Sequence, residues 1–193
     1  MGMKLKTKQV RKIAISTLAT LGILGTNIGA TFAQTALVIY NAKTGNLAQN
    51  YDIGVDTSNQ RRKWLEKKSD NSMCMTYPPG QSWGAVFIVY GGLKPLGDRS
   101  GIDLSNYKTL AIQMKGQNGG EEVNIGLKDK KDPDNGSETK ITQTLTSEYK
   151  TYTFPLSDFS TADLKNLYVV TEFVFEPGTP SQTVCFRNVE FRR

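Results

Sequence analysis

Hydrophobic residues along this chain recur mostly with a period of two. From residue 109, Leu110, Ile112 and Met114 alternate with Ala111, Gln113 and Lys115; from 122, Val123, Ile125 and Leu127 alternate with Asn124, Gly126 and Lys128. A period of two puts successive side chains on opposite faces of a strand, so each segment reads as a β-strand with one buried and one wet face. Similar runs, bounded by Gly, Pro, Asn and Asp, cover 36–40, 74–77, 83–90, 140–145, 150–155, 168–176 and 183–191. Many short strands at this spacing predict an all-β fold, an antiparallel two-sheet β-sandwich. Helical periodicity is confined to 59–67 and 160–164, the second with Ser160 or Thr161 placed to cap it.

Two strands break the alternation. In SWGAVFIVY, residues 82–90, Trp83, Ala85, Phe87 and Val89 fill one parity and Gly84, Val86, Ile88 and Tyr90 the other. In 168–176, Val169, Thr171, Phe173 and Phe175 oppose Tyr168, Val170, Glu172 and Val174. A two-layer core takes only one face of each. The second face needs a cover: a bound ligand, a partner subunit, or the chain between Tyr40 and Asp70. Trp83 and Tyr90 bracket the first strand and are the aromatic candidates for ligand contact, whereas Trp64, Tyr77 and Tyr168 read as core or rim packing.

The first 33 residues carry Lys4, Lys6, Lys8, Arg11 and Lys12, then a mostly apolar run ending Thr31-Phe32-Ala33. That is the layout of a secretory signal peptide cleaved after Ala33, and it places the protein outside the cytoplasm, secreted or periplasmic. Residues 13–33 are long enough for a membrane anchor, but Ser16, Thr17, Thr20, Gly22, Gly25, Thr26, Asn27 and Gly29 make a poor one. Cleavage removes five of the 24 basic residues and none of the 18 acidic ones, so the formal charge falls from +6 to +1. The remaining residues, 34–193, suit one domain and hold no basic tract for nucleic acid or anionic lipid. Cys74 and Cys185 are the two cysteines. In an oxidising compartment two is the number that pairs, closing a loop of about 110 residues; two buried free thiols are the competing reading.

The chain has no histidine. That excludes Ser-His-Asp and Cys-His nucleophilic machinery and the usual zinc and copper ligand sets. Glycoside hydrolysis needs only two carboxylates, and Glu172, among apolar neighbours on a central strand, is the acid whose pKa burial would raise. The simpler alternative is a Glu paired with Lys128 on the open sheet face. The acidic stretch 129–138 lacks EF-hand spacing, since with Gly136 at loop position 6 the metal-ligand positions fall on Lys131, Pro133 and Thr142. Asn135-Gly136 instead predicts a hairpin turn. Asp129 and Glu138, facing each other at its base, are then the candidate ligands for a calcium ion, against the reading of a solvated acidic turn; no other cofactor is implied.

Three stretches, GIDLSNYKTLAIQMKGQNGGEEVNIGLKD (101–129), LTSEYKTYTFPLSDFSTADLKNLYVVTEFVF (145–175) and TVCFRNVEF (183–191), resemble the jelly-roll carbohydrate-binding modules of the galactose-binding-like type. The likeness rests on Asp103-Leu104-Ser105 with Tyr107 and Leu110, on the Gly119-Gly120 turn, on Tyr149 and Tyr152 before Pro155-Leu156-Ser157 and Phe159, and on Thr183-Val184 before Asn188-Val189. It implies a sandwich of two sheets of four or five strands, often with a structural calcium, and a glycan site on the concave sheet face or the edge loops. Arg187 stands where many relatives carry an Asp of the metal site, which argues against the metal here. An open sheet face with Trp83 or Tyr90 beside Gln113, Lys128 and Glu172 would give a sugar an aromatic platform and fixed polar groups. The resulting expectation is an exported, non-catalytic protein whose partner is a carbohydrate. The alternatives are a structural or interaction module whose second face is covered by its own N-terminal segment or a partner, and a small glycan hydrolase or lyase using Glu172.

Overall fold

Strands form at nearly every segment whose hydrophobic positions alternate, in a computed structural model that describes residues 36–58 and 64–193. The proposed signal peptide and its cleavage point after Ala33 lie outside the described residues. One sheet contains β1 (Ala36–Asn41), β2 (Asn46–Leu47), β4 (Leu65–Lys67), β5 (Met73–Tyr77), β7 (Thr109–Gly116), β10 (Lys150–Pro155) and β12 (Gln182–Arg192). The other contains β3 (Tyr51–Thr57), β6 (Gly84–Tyr90), β8 (Glu122–Asp129), β9 (Lys140–Thr144) and β11 (Leu167–Phe175). The five-stranded sheet runs β3-β6-β11-β8-β9, every neighbour antiparallel. In the seven-stranded sheet β12 is the spine. One of its edges carries β7 and then β10; along the other, β5 pairs with Gln182–Phe186 and β1 with Asn188–Arg192. That shared edge is why this sheet exceeds the four or five strands expected.

The core is the inner faces of the two sheets. Val86, Ile88, Val123, Ile125, Leu127, Phe173 and Phe175 from one meet Ile39, Leu110, Ile112, Met114, Val184, Phe186, Val189 and Phe191 from the other. The Phe173 and Phe186 rings stack across the sandwich at 4.8 Å and 12°. Tyr77 stacks on Phe175 at 4.9 Å, and Trp64 closes on Phe175 edge-first at 5.7 Å. Each such pair contributes about 1 kcal/mol beyond the area it buries.

Local differences from the sequence reading have identifiable causes. In β11 the pairing with β6 slips between Val169 and Thr171, so Val170 joins Phe173 and Phe175 in the core while Tyr168 and Val169 pack with Val89 in a separate cluster. A bulge reverses strand parity beyond it. The short helix expected at 160–164 is a series of turns, because the Thr161 hydroxyl accepts from the Thr139 N–H at 2.7 Å rather than capping its own segment. Of the helix expected at 59–67, Leu65–Lys67 is strand β4 and 59–63 lie outside the described residues. No helix among the described residues is long and apolar enough to cross a membrane.

Cys74 and Cys185 are register partners on β5 and β12 and form a disulfide, with Cα atoms 4.0 Å apart and a sequence separation of 111. Cross-linking two such distant points removes about 4–5 kcal/mol of loop-closure freedom from the unfolded chain. Replacing both cysteines by Ala should therefore lower the urea unfolding free energy by about 4 kcal/mol; an unchanged midpoint would show that the bond contributes nothing.

Candidate functional site

On β6 the core-facing parity is Gly84, Val86, Ile88 and Tyr90, and Tyr90 meets Tyr51 edge-on at 5.5 Å. The outer parity is Trp83, Ala85, Phe87 and Val89. Register extends this outer face across five strands in two rows, Gly54–Phe87–Glu172–Gly126–Lys140 and Asp56–Ala85–Val174–Asn124–Thr142. The glycines are there for space. A Cβ on Gly54 would sit 2.5 Å from the Phe87 ring, and one on Gly126 would sit 2.3 Å from Glu172 Oε1. The ring and the carboxyl group therefore lie flat over the neighbouring strands, keeping the face low at its centre.

The segment from Gly91 to Gly101 covers one end of this face. The Tyr168 hydroxyl accepts from the Lys94 N–H at 2.8 Å and lies 3.1 Å from the Gly92 carbonyl oxygen, to which it can donate. The Arg99 guanidinium sits 4.7 Å over the Tyr168 ring and reaches the Asp132 carbonyl and the Asp134 carboxylate, tying this segment to the 130–139 loop. Val89, Tyr168 and Val169 are buried beneath. The chain between Tyr40 and Asp70 does not provide the cover: its described strands β2, β3 and β4 are members of the sheets themselves. At the other end Trp83 is uncovered, 39% exposed.

Between the two ends lies a charge cluster. Lys128 Nζ is 3.6 Å from both Glu172 and Glu138 and 3.7 Å from Asp134; Lys140 Nζ is 3.0 Å from Glu138 and 3.3 Å from Glu176. The Glu172 and Glu138 side chains are each 3% exposed. Burial pushes the Glu172 carboxyl up to about 8, against the pull of Lys128 and with the help of neighbouring Glu138. Burial also opposes ionisation of Glu138, but its backbone hydrogen bond and the two lysines outweigh that and hold it below the usual carboxylate range. Lys128, surrounded by these acids, is lifted above its ordinary value despite its own burial. Burial thus favours the protonated form of Glu172, and Glu138 lies between the two ammonium groups, 3.6 Å from Lys128 and 3.0 Å from Lys140.

The other sequence candidates separate. Tyr90 belongs to the core, and Gln113 lies on β7 in the opposite sheet, where Asn188 Nδ2 donates to its Oε1 at 3.1 Å. Strand parity had put Gln113 on a solvent face correctly, but the wrong one of two. Asp129 accepts from the backbone of Lys131 at 2.7 Å and of Asp163 at 3.3 Å, while Glu138 serves the lysines, so the two do not converge. Their loop is wider than the expected two-residue turn, with Asp134 and Gly136 both left-handed at φ 55° and 79°. Among the described residues no group of three or more Asp, Glu, His or Cys is placed to hold a metal ion. Arg187 pairs with Asp70 at 2.5 Å and lies 4.0 Å over the Tyr149 ring.

Sequence reasoning missed β3, which brings Asp52, Gly54 and Asp56 to this face. Its signal was present, since Tyr51, Ile53 and Val55 alternate with them, but Asp and Gly also punctuate turns.

The sign of the Glu172 shift fixes its pH dependence. A carboxyl group with a raised folded-state pKa contributes full stability below the ordinary carboxylate pKa, and that contribution is lost as pH climbs toward about 8. In thermal melts Glu172→Gln should be nearly neutral at pH 5 and more stable than the parent at pH 9, by on the order of 5–10 °C. A difference that does not grow with pH would mean that Glu172 is not protonated in the fold.

Comparison with known proteins identifies the family and the fold. No curated protein matches the chain. Among solved structures, a family 29 carbohydrate binding module superposes with a TM-score of 0.54 at 17% identity, covering 81% of this chain and 87% of its own. Two variants of such a module, one complexed with cellulohexaose (17% identity, 89% of that chain) and one with mannohexaose (15%, 90%), each cover 81% of this chain at the same TM-score. At such identities the likeness shows the shared jelly-roll sandwich. A family model described as Carbohydrate binding domain 30 matches residues 29–193, nearly the whole chain. The protein belongs to that family and is a carbohydrate-binding module.

Proposed function

We propose that this module is exported and lays a neutral, unbranched oligosaccharide across the outer face of the five-stranded sheet, with Trp83 as its platform. One observation carries the reading: Trp83 is the single exposed aromatic side chain among the described residues. It stands at the end of the face that the 91–101 segment leaves open. Pyranose rings stack their apolar C–H faces on an indole, and their hydroxyls seek fixed polar groups. Beyond Trp83 the low centre of the face is bordered by Asp56 and by hydrogen-bonded pairs, Thr142 to Asn124 at 2.6 Å and Thr144 to Glu122 at 3.2 Å. Carboxylates and amide oxygens accept from sugar hydroxyls and repel an acidic sugar. Lys128 and Glu172 act from below, holding the floor rather than contacting ligand, since both are nearly buried. The hexasaccharides held by the family 29 modules are the nearest guide to ligand type. Export accords with the disulfide.

The other readings find less support. A carboxylate-pair hydrolase needs two acids open to a cleft, and Glu172 and Glu138 are buried and shared by lysines. An interaction module with a fully covered face would leave Trp83 enclosed. Trp83→Ala should weaken binding of cellulohexaose by roughly 30-fold in calorimetric titration, the loss of about 2 kcal/mol characteristic of a stacking hot spot. Unchanged affinity in that variant, or no binding of any neutral glycan by the parent, would remove the proposal.

A further inference from the structure

The outer surface of the opposite sheet carries a cavity of about 170 Å³, with Val38, Ala111, Glu190 and Arg192 in its lining. Across it runs a row of register partners, Asn41–Asn188–Gln113–Thr151, one from each of β1, β12, β7 and β10. The hydrogen bonds decide which way these amides face. The Ala42 N–H is shared between the Arg187 carbonyl, at 3.0 Å, and Asn188 Oδ1, at 3.3 Å, while the Asn188 amino group faces Gln113 and donates to its Oε1 at 3.1 Å. Gln113 must therefore turn its own NH₂ group away from Asn188, toward the cavity rim. The same logic applies to Asn41, whose Oδ1 is taken by the Lys43 N–H at 2.8 Å, leaving its NH₂ group to face outward. Lys43 lines the same cavity and its ammonium has no acidic partner among the described residues. The one carboxylate there, Glu190, is held by Arg192, whose Nε and Nη2 both reach Glu190 Oε1, at 2.7 and 2.5 Å.

A rim that presents two amide NH₂ groups and an unpaired ammonium is a set of donors in search of an acceptor-rich anion. We propose that this cavity is a second ligand site, selective for a sugar that bears a carboxylate, such as a uronic acid residue of a glycan. The two faces of the sandwich then differ in kind. The five-stranded sheet offers an indole and acceptors to a neutral chain, and the cavity on the seven-stranded sheet, with no aromatic side chain in its lining, offers donors to an acidic one. The proposal stands independently of the Trp83 site, so a module could lack either without the other.

The test is calorimetric titration of the full chain, disulfide intact, with trigalacturonate, with its methyl ester, and with cellulohexaose as a probe of the other face. The acid trimer should bind and its ester should bind about tenfold more weakly, since charge-assisted hydrogen bonds are lost. Gln113→Glu keeps the bond from Asn188 while exchanging donor for acceptor, and Lys43→Gln removes a surface charge; each should weaken the acid trimer about tenfold while leaving cellulohexaose unchanged. Trp83→Ala should do the reverse. Equal binding of acid and ester, insensitivity to both cavity variants, absence of trigalacturonate binding at millimolar concentration, or its loss with Trp83→Ala would each overturn the second site. Loss of cellulohexaose binding alone would count only against the first.

Discussion

Strand β11 has nine consecutive residues and all of them are buried. A strand presents two faces, so it must be covered twice, and most of the molecule can be understood as how that is done. Inward, Phe173 and Phe175 meet Phe186 and Tyr77 of the opposite sheet in two parallel stacks. Outward, Tyr168 and Val169 are roofed by the 91–101 segment, and Glu172 is sealed under Lys128 and the 130–139 loop. A buried carboxyl group is the costly element of this cover, and its burial raises its pKa and so favours the uncharged form, with Lys128 3.6 Å away pulling the other way. Where the cover stops, at Trp83, an aromatic ring is left in water.

The roof also shapes the face next to it. Arg99 joins the two outer loops by lying on Tyr168 and binding Asp134, and Asp134 in turn approaches Lys128. The charge cluster, the roof and the floor of the open half are thus one connected structure. Rigidity of that kind suits a carbohydrate-binding module, since side chains already held in place lose little freedom on binding. Gly54 and Gly126 serve the same end, because any side chain there would lift Phe87 or Glu172 off the sheet.

Much of this was legible beforehand. Nine of the twelve strands follow from alternation and turn residues, and the pairing of Cys74 with Cys185 from their number and the expected compartment. Trp83 and Glu172 stood out because they lie on strands too apolar for one core face. The misses share a cause. Gln113 and Lys128 both occupy wet parities, but parity says that a residue faces outward and not which sheet it faces outward from, and Gln113 lies on β7 of the other sheet. Trp83 and Tyr90 fall on opposite parities of β6, and alternation alone does not say which of the two faces the core; the structure packs Tyr90 against it and leaves Trp83 exposed. The irregularity between Val169 and Thr171 exchanges the expected faces of Val169 and Val170, since one unpaired residue shifts strand parity locally.

The amino-acid sequence by itself determined the class of fold, the two-sided burial of β6 and β11, the absence of histidine chemistry and the family motifs from residue 101 onward. These are properties of local periodicity and residue type, and they need no knowledge of what lies across the sandwich. Tertiary structure alone decided that the 91–101 segment, not the chain before Asp70, roofs the outer face, that Glu138 and Glu172 share Lys128, and that two separate polar surfaces lie back to back. Each of those depends on contacts between residues many positions apart, brought together by strand order and register, which hydrophobic periodicity does not encode.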